Sequence, residues 1–366
     1  MSRLPLILLA AVSLVAGLWT GLVRAGVALA PPSVEALAAH GGLMIGGALG
    51  TLIALERAVA LDEPWAYLAP ITSGAAALGA IVGLPWPWVT WGLVLASAFF
   101  VLVNLRVVAR QFADFTATMT LGAVAWLAGN WAWANGRAGH ELVLLWAAFL
   151  VLTIAGERLE LSRLRAPPKR AAALFGVLAL LLVAGAITAL SSGALGARLA
   201  GGSLTLLALW LARYDVARVT WKREGLPRFV AVCLYAGYFW LLSAGVLLLV
   251  GGALLPGLYY DACLHALFLG FVFSMIFGHA PIILPAVLGV EIPFTRALYG
   301  PLALLHASLA ARVAFDLLGY SEWRGPAAVA NVVALASYAG TVLSHKLRLR
   351  SLARRSERPV AATSGD

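Results

Sequence analysis

Charge is what this chain has least of. Asp, Glu, Lys and Arg together make up 11% of its 366 residues, where a soluble domain carries about 25%. That shortage excludes an ordinary soluble fold. Acidic residues are the scarcer sign, 16 against 26 basic ones, for a net charge of +10. The basic excess is no nucleic-acid signal, because it gathers in short loops and in the C-terminal tail. Cysteine is also rare. Cys233 and Cys263 both fall inside apolar runs, too few for a structural zinc site, and a disulfide between them is left open. What remains is 62% hydrophobic, with a mean hydropathy of +0.92. The fold class is all-α, a polytopic membrane helix bundle.

A membrane span needs about 20 apolar residues. Twelve stretches qualify: 4–30, 34–60, 65–84, 86–109, 115–136, 139–157, 171–191, 194–214, 229–252, 258–280, 297–318 and 326–345. The first is too long for a signal-peptide core and has no convincing cleavage site, so it reads as a retained helix. Pro and Gly punctuate the short connections, which leave no room for a soluble domain. The chain therefore reads as one transmembrane domain, 1–345, and a basic tail, 346–366. Arg106 and Arg110 follow span 4, and Arg158, Arg163, Arg165, Lys169 and Arg170 follow span 6. Arg213, Arg218, Lys222, Arg223 and Arg228 follow span 8, and Arg354, Arg355 and Arg358 lie in the tail. All share one side if both termini do, and the positive-inside rule makes that side cytoplasmic. The expectation is a multi-pass protein of the inner (cytoplasmic) membrane, with both ends inside and membrane lipid as its surroundings. Thirteen tryptophans, many near span ends, fit interfacial anchoring.

Of only six histidines, three recur at one place. His40, His140 and His265 lie near the starts of spans 2, 6 and 10, a four-helix period that suggests pseudo-threefold repeats. Spans 2 and 6 also end alike, in Glu56-Arg57 and Glu157-Arg158, 16 and 17 residues after their histidines. Span 10 carries His279 there instead. Imidazole is the usual protein ligand of haem iron and copper, and an ionisable group inside a membrane is expensive and usually functional. His40 and His265 sit at matched depth, roughly 10 Å below the outer boundary, and are the leading candidates for one shared cofactor.

His140 is shallower, a ligand or an interfacial residue. His265 and His279 fall roughly 21 Å apart along one helix and so serve two different levels. His279 and His306, the latter near mid-depth in span 11, are candidates for a second metal. His345 reads as interfacial. Asp261, one turn before His265, would fix its tautomer. Met44, one turn after His40, offers a thioether or packs. Arg312, in the outer half of span 11, needs a partner, which a haem propionate would supply; otherwise it snorkels outward. Gly42, Gly46 and Gly50 allow close helix approach. Pro281 and Pro285 should end or kink span 10. Glu56 and Glu157 could pass protons from the cytoplasm, and no catalytic acid or base is visible.

The run "HALFLGFVFSMIFGH" (residues 265–279) resembles the tenth-helix motif of the NnrS family. "WKREGLPRFVAVCLYAGYFWLLSAGVLLL" (221–249) is similar to the segment before it, and "AHGGLMIGGALGTLI" (39–53) to its second helix. The resemblance implies twelve helices, bound haem and copper, and a part in nitric oxide metabolism or tolerance. It also implies a distant likeness to subunit I of the haem-copper oxidases. It carries over most directly onto His40 and His265. The chain departs from the family in having one histidine, not His-x-His-Glu, at the start of span 2. It also has "GVEIPFTR" (289–296) where the family has Gly-His-Thr-Gly-Arg.

The reading is thus an integral membrane haem- and copper-binding protein that handles a small gas or redox ligand. Its cofactor residues are His40, His265 and Arg312, and its metal candidates are His279, His306, His140 and Met44. The alternatives are a secondary transporter, since twelve spans and internal repeats suit that class, and a non-catalytic metal-delivery or assembly factor. Oligomeric state is left open.

Overall fold

A computed structural model describes residues 3–162, 167–252, 255–288 and 294–356, with side chains omitted at 284, 286–288 and 350–356. Arg163, Arg165, Arg358, the tail beyond 356 and the 289–293 part of the "GVEIPFTR" run lie outside the described residues, as do the side chains of Arg354 and Arg355. Every regular element among the described residues is helical. The rods are α1 (Leu4–Arg24), α2 (34–61), α3 (64–81), α4 (Trp86–Arg110), α5 (Asp114–Ala134) and α6 (Gly139–Leu161). There follow α7 (Lys169–Thr188), α8 (Gly193–Tyr214), α9 (Leu226–Gly251), α10 (258–288), α11 (Arg296–Leu318) and α12 (321–356). A helix thus stands at each position where the apolar runs place one.

Ten of these rods are long and apolar enough to cross a membrane. The other two are α3, whose α-helical part is only 14 residues, and α5, whose apolar run is diluted by Thr, Asn and Trp.

Three boundaries differ from expectation. α1 stops at Arg24, because Gly26 turns the chain with a positive φ of 89°. α10 runs through Pro281 and Pro285 to Leu288, since a helix among apolar neighbours tolerates the missing amides. α12 continues past the apolar span into the basic tail, to Ser356.

Rods that follow one another in sequence pack side by side, and α12 returns to touch α1. α2, α6 and α10 form the inside. Buried positions make up 61%, 94% and 67% of their apolar windows, against 56% or less for the other candidate spans. Small residues let rods approach: a Cβ on Gly201 of α8 would lie 2.7 Å from the Gly245 carbonyl oxygen of α9. In α2, a Cβ on Gly42 would fall 2.5 Å from Trp133. That ring is held edge-on by Trp86 and Trp146, with centroids 4.9 and 5.1 Å away, so it has little freedom to yield. Gly42→Ala is expected to destabilise the bundle by about 1–3 kcal/mol through overpacking, read as a lower melting temperature in detergent.

Both α2 and α10 change their winding. Gly42–Gly50 and Ala266–Val272 are π-helical, a form that is rare and frequent at functional sites. Ser73 of α3 donates to the Gly46 carbonyl oxygen inside the first π segment, at 2.8 Å.

The loop between α2 and α3 is closed by charge. Glu63 accepts from the Trp65 indole N–H and from Arg106 and Arg110 at the end of α4. The indole N–H and then Arg106 hold its carboxyl below the usual carboxylate range. A lowered folded value means that the stabilisation is present above the ordinary carboxylate pKa and fades as pH falls through the lowered one. Glu63→Gln should therefore lower the melting temperature slightly at neutral pH, where the charged partner is lost, and flatten the acid side of the profile, where the native carboxylate loses its advantage anyway.

Candidate functional site

α2, α6 and α10 begin at the same end of the bundle, where α1 finishes. A cavity of about 610 Å³ opens there. It is lined by His40, His140 and His265, by Met44, by Arg24, Arg312 and Arg324, and by an aromatic wall that includes Trp133, Trp146, Tyr260 and Phe268. The three histidines singled out by their spacing therefore share one space.

Each inner ring is fixed through one nitrogen. His40 Nδ1 lies 2.9 Å from the Gly17 carbonyl oxygen and 3.2 Å from Thr20 Oγ1. The Thr20 hydroxyl already donates to the carbonyls of Ala16 and Gly17. Both neighbours can only accept, so Nδ1 carries the proton and Nε2 keeps its lone pair. α1 presses on the same ring: a Cβ on Gly21 would sit 3.0 Å from His40 Cε1.

His265 repeats the arrangement. Its Nδ1–H donates to the Asp261 carbonyl oxygen at 2.8 Å, with Asp261 Oδ1 3.4 Å away. Neither Nε2 has a hydrogen-bond partner among the described residues. Both rings line the same cavity, and each stands at the threshold of a π segment.

Arg312 neither snorkels nor waits for a ligand. Its side chain is 8% exposed, and Nη2 and Nε lie 2.8 and 3.2 Å from Asp261 Oδ2. Arg324 approaches Asp261 Oδ1 at 3.5 Å and Asp316 at 3.6 Å. Asp261 thus has two jobs: its carbonyl orients His265, and its carboxylate ties that turn of α10 to α11 and α12. Arg24 is different. It is exposed at the cavity mouth and has no ion pair or hydrogen bond among the described residues. Met44 lines the cavity with its sulfur packed on α1, 2.4 Å from where a Cβ of Gly17 would be.

The structure does not bring His279 or His306 to this cavity. His279 Nδ1–H donates to the Met275 carbonyl oxygen at 2.7 Å, and its Nε2 faces Arg158 Nη1 at 3.2 Å. His306 Nδ1 accepts from the Trp240 indole at 3.0 Å, and Nε2 faces Ser274 Oγ at 3.5 Å. Both nitrogens of both rings are taken. No cluster of three or more His, Cys, Asp or Glu side chains suited to a metal ion occurs among the described residues. Cys233 and Cys263 are buried and free.

The opposite end of the same three helices is closed by ions. Arg57 of α2 meets Glu157 of α6 at 3.0 Å. Arg158 of α6 meets His279 of α10 and is clamped by Asp215 at 2.7 and 2.9 Å, with side chains 3% and 0% exposed. The recurring Glu-Arg motif thus builds a belt in which each inner helix reaches the next. The family description "Domain of unknown function (DUF8744)" matches residues 3–347. The chain belongs to the DUF8744 family. No curated protein and no solved structure matches it. The span matched by DUF8744 holds the cavity and the belt together.

Sequence reading missed Gly17 and Thr20 as the partners of His40, Asp215 as the partner of Arg158, and both π segments. Gly17 and Gly21 stand one turn apart in span 1, and that spacing was the available signal for a close approach.

Proposed function

We propose that this chain is a multi-pass inner-membrane haem protein, NnrS-like, in which His40 and His265 would hold the haem. One observation carries the reading. Two imidazoles from two inner helices line one cavity, each with Nδ1–H tied to a backbone carbonyl and with Nε2 unpartnered among the described residues. A carbonyl behind a ligating imidazole fixes its tautomer and raises its basicity. The volume of about 610 Å³ lies in the range of small-molecule and cofactor sites, and the aromatic wall suits a flat macrocycle. Arg24 is free to pair with a carboxylate on the cofactor's rim, a task that Asp261 takes from Arg312. His140 stands at the mouth as a third imidazole, placed to hydrogen-bond a small gas or redox ligand.

Haem bound here would supply electron-transfer chemistry, while the protein supplies ligation and a dry surrounding. Thr20 and Gly17 hold one ring and Asp261 the other. Arg312 and Arg324 keep Asp261 in place. A second metal at His279 or His306 is not part of this proposal, because His279 Nε2 faces Arg158 and His306 Nδ1 accepts from Trp240. The functional setting proposed is nitric oxide tolerance or respiratory redox chemistry. Twelve spans, with the belt on the cytoplasmic side, complete the proposed topology.

The test is the absorption spectrum and pyridine haemochrome of protein purified from haem-replete cells. About one haem per chain with a low-spin Soret band is expected. A transporter is the second reading, favoured by a cavity that opens at one end of the inner helices while ion pairs join them at the other. A colourless preparation that moves solute in vesicles would establish that reading and remove the first.

A further inference from the structure

A second groove, of about 450 Å³, lies at the belt end, between the starts of α9 and α11. Arg228 stands in the first turn of α9 and Arg296 opens α11, and both line it with Trp221, Glu224 and Tyr299. Both guanidinium groups are exposed, and neither has an ion pair or hydrogen bond among the described residues. Arg106 and Arg110, by contrast, share Glu63. The floor is aromatic: Phe229 is fully buried and packs against Tyr299 and Phe294 at 5.2 and 5.8 Å. Trp221 is 46% exposed beside it, as an interfacial tryptophan would be.

We propose that this groove binds the phosphate of a phospholipid headgroup between Arg228 and Arg296, with Glu224 accepting from an N–H or O–H on that headgroup. Free cations recognise phosphate. A carboxylate beside them opposes a bare anion and favours a phosphate that brings its own donor. Basic pockets between helices at the cytoplasmic surface suit such headgroups, and the apolar flanks of α9 and α11 continue from the groove along the acyl chains. This inference is independent of the haem assignment.

Native mass spectrometry of delipidated protein, titrated with phosphatidylethanolamine, phosphatidylcholine or inorganic phosphate, tests it. Phosphatidylethanolamine, which carries N–H donors, should bind more tightly than phosphatidylcholine, which has none. Arg228→Ala and Arg296→Ala should each weaken it about fivefold, and the pair about thirtyfold. Arg228→Lys and Arg296→Lys should retain most binding and serve as folded comparators. Glu224→Ala should level the two lipids. Equal retention of both lipids by the unaltered protein and by the double alanine variant overturns the proposal. So does displacement of lipid by millimolar inorganic phosphate, which would make this a site for the free anion.

Discussion

His265→Ala is expected to strip the purified protein of its low-spin haem spectrum, and His40→Ala to do the same. Losing a residue that merely supports a ligand costs 10–100-fold in affinity, so losing the ligand itself should cost at least about that much. Each ring lines the cavity with an Nε2 unpartnered among the described residues, and no other described histidine apart from the shallower His140 lines it. His306→Ala, which removes an imidazole engaged by Trp240 and Ser274, should leave the spectrum in place. His265→Gly with added imidazole separates ligation from folding: a restored spectrum shows that the protein stood and only the ligand was missing.

Asp215→Ala is the largest stability effect expected. Arg158 and Asp215 are 3% and 0% exposed at the side chain and joined by two hydrogen bonds. Removing one member leaves a buried charge without compensation, which costs about 3–5 kcal/mol. Asp215 Oδ1 also accepts from the Ala217 amide, so the short helix at Ala217–Thr220 should loosen with it. The double variant Arg158→Met with Asp215→Leu should be far milder, because replacing both partners by apolar groups leaves no orphan charge. Thermal unfolding in one detergent compares the two, and a double variant worse than Asp215→Ala alone would contradict the argument.

The parts of the site legible in the sequence are those whose chemistry stands out against an apolar background. His40, His140 and His265 were visible because histidine is rare here and recurs at one depth. The Glu-Arg pairs were visible as a repeat, but that Arg57 bridges to Glu157 and Arg158 to Asp215 depends on partners 100 and 57 residues away. The same blindness explains His279 and His306. They share residue type and burial with the cavity histidines, and only the distant Arg158 and Trp240 show that their nitrogens are taken. The sequence shows that Arg312 needs a partner but not which one, and that partner is Asp261, 51 residues away. The π segments left no trace, because Leu, Ala and Gly occupy every face of α2 and α10 and no polar stripe records the winding. The positions of the helices were the easiest part, since apolar length fixes them.

The most direct test of the account is the electron–nuclear resonance spectrum of the oxidised protein labelled with ring-¹⁵N histidine. Two imidazole nitrogens coupled to one low-spin iron are predicted, with one coupling replaced in His40→Gly and the other in His265→Gly when each variant is restored with unlabelled imidazole. A protein that binds no haem, or one whose two couplings survive both substitutions, would contradict it.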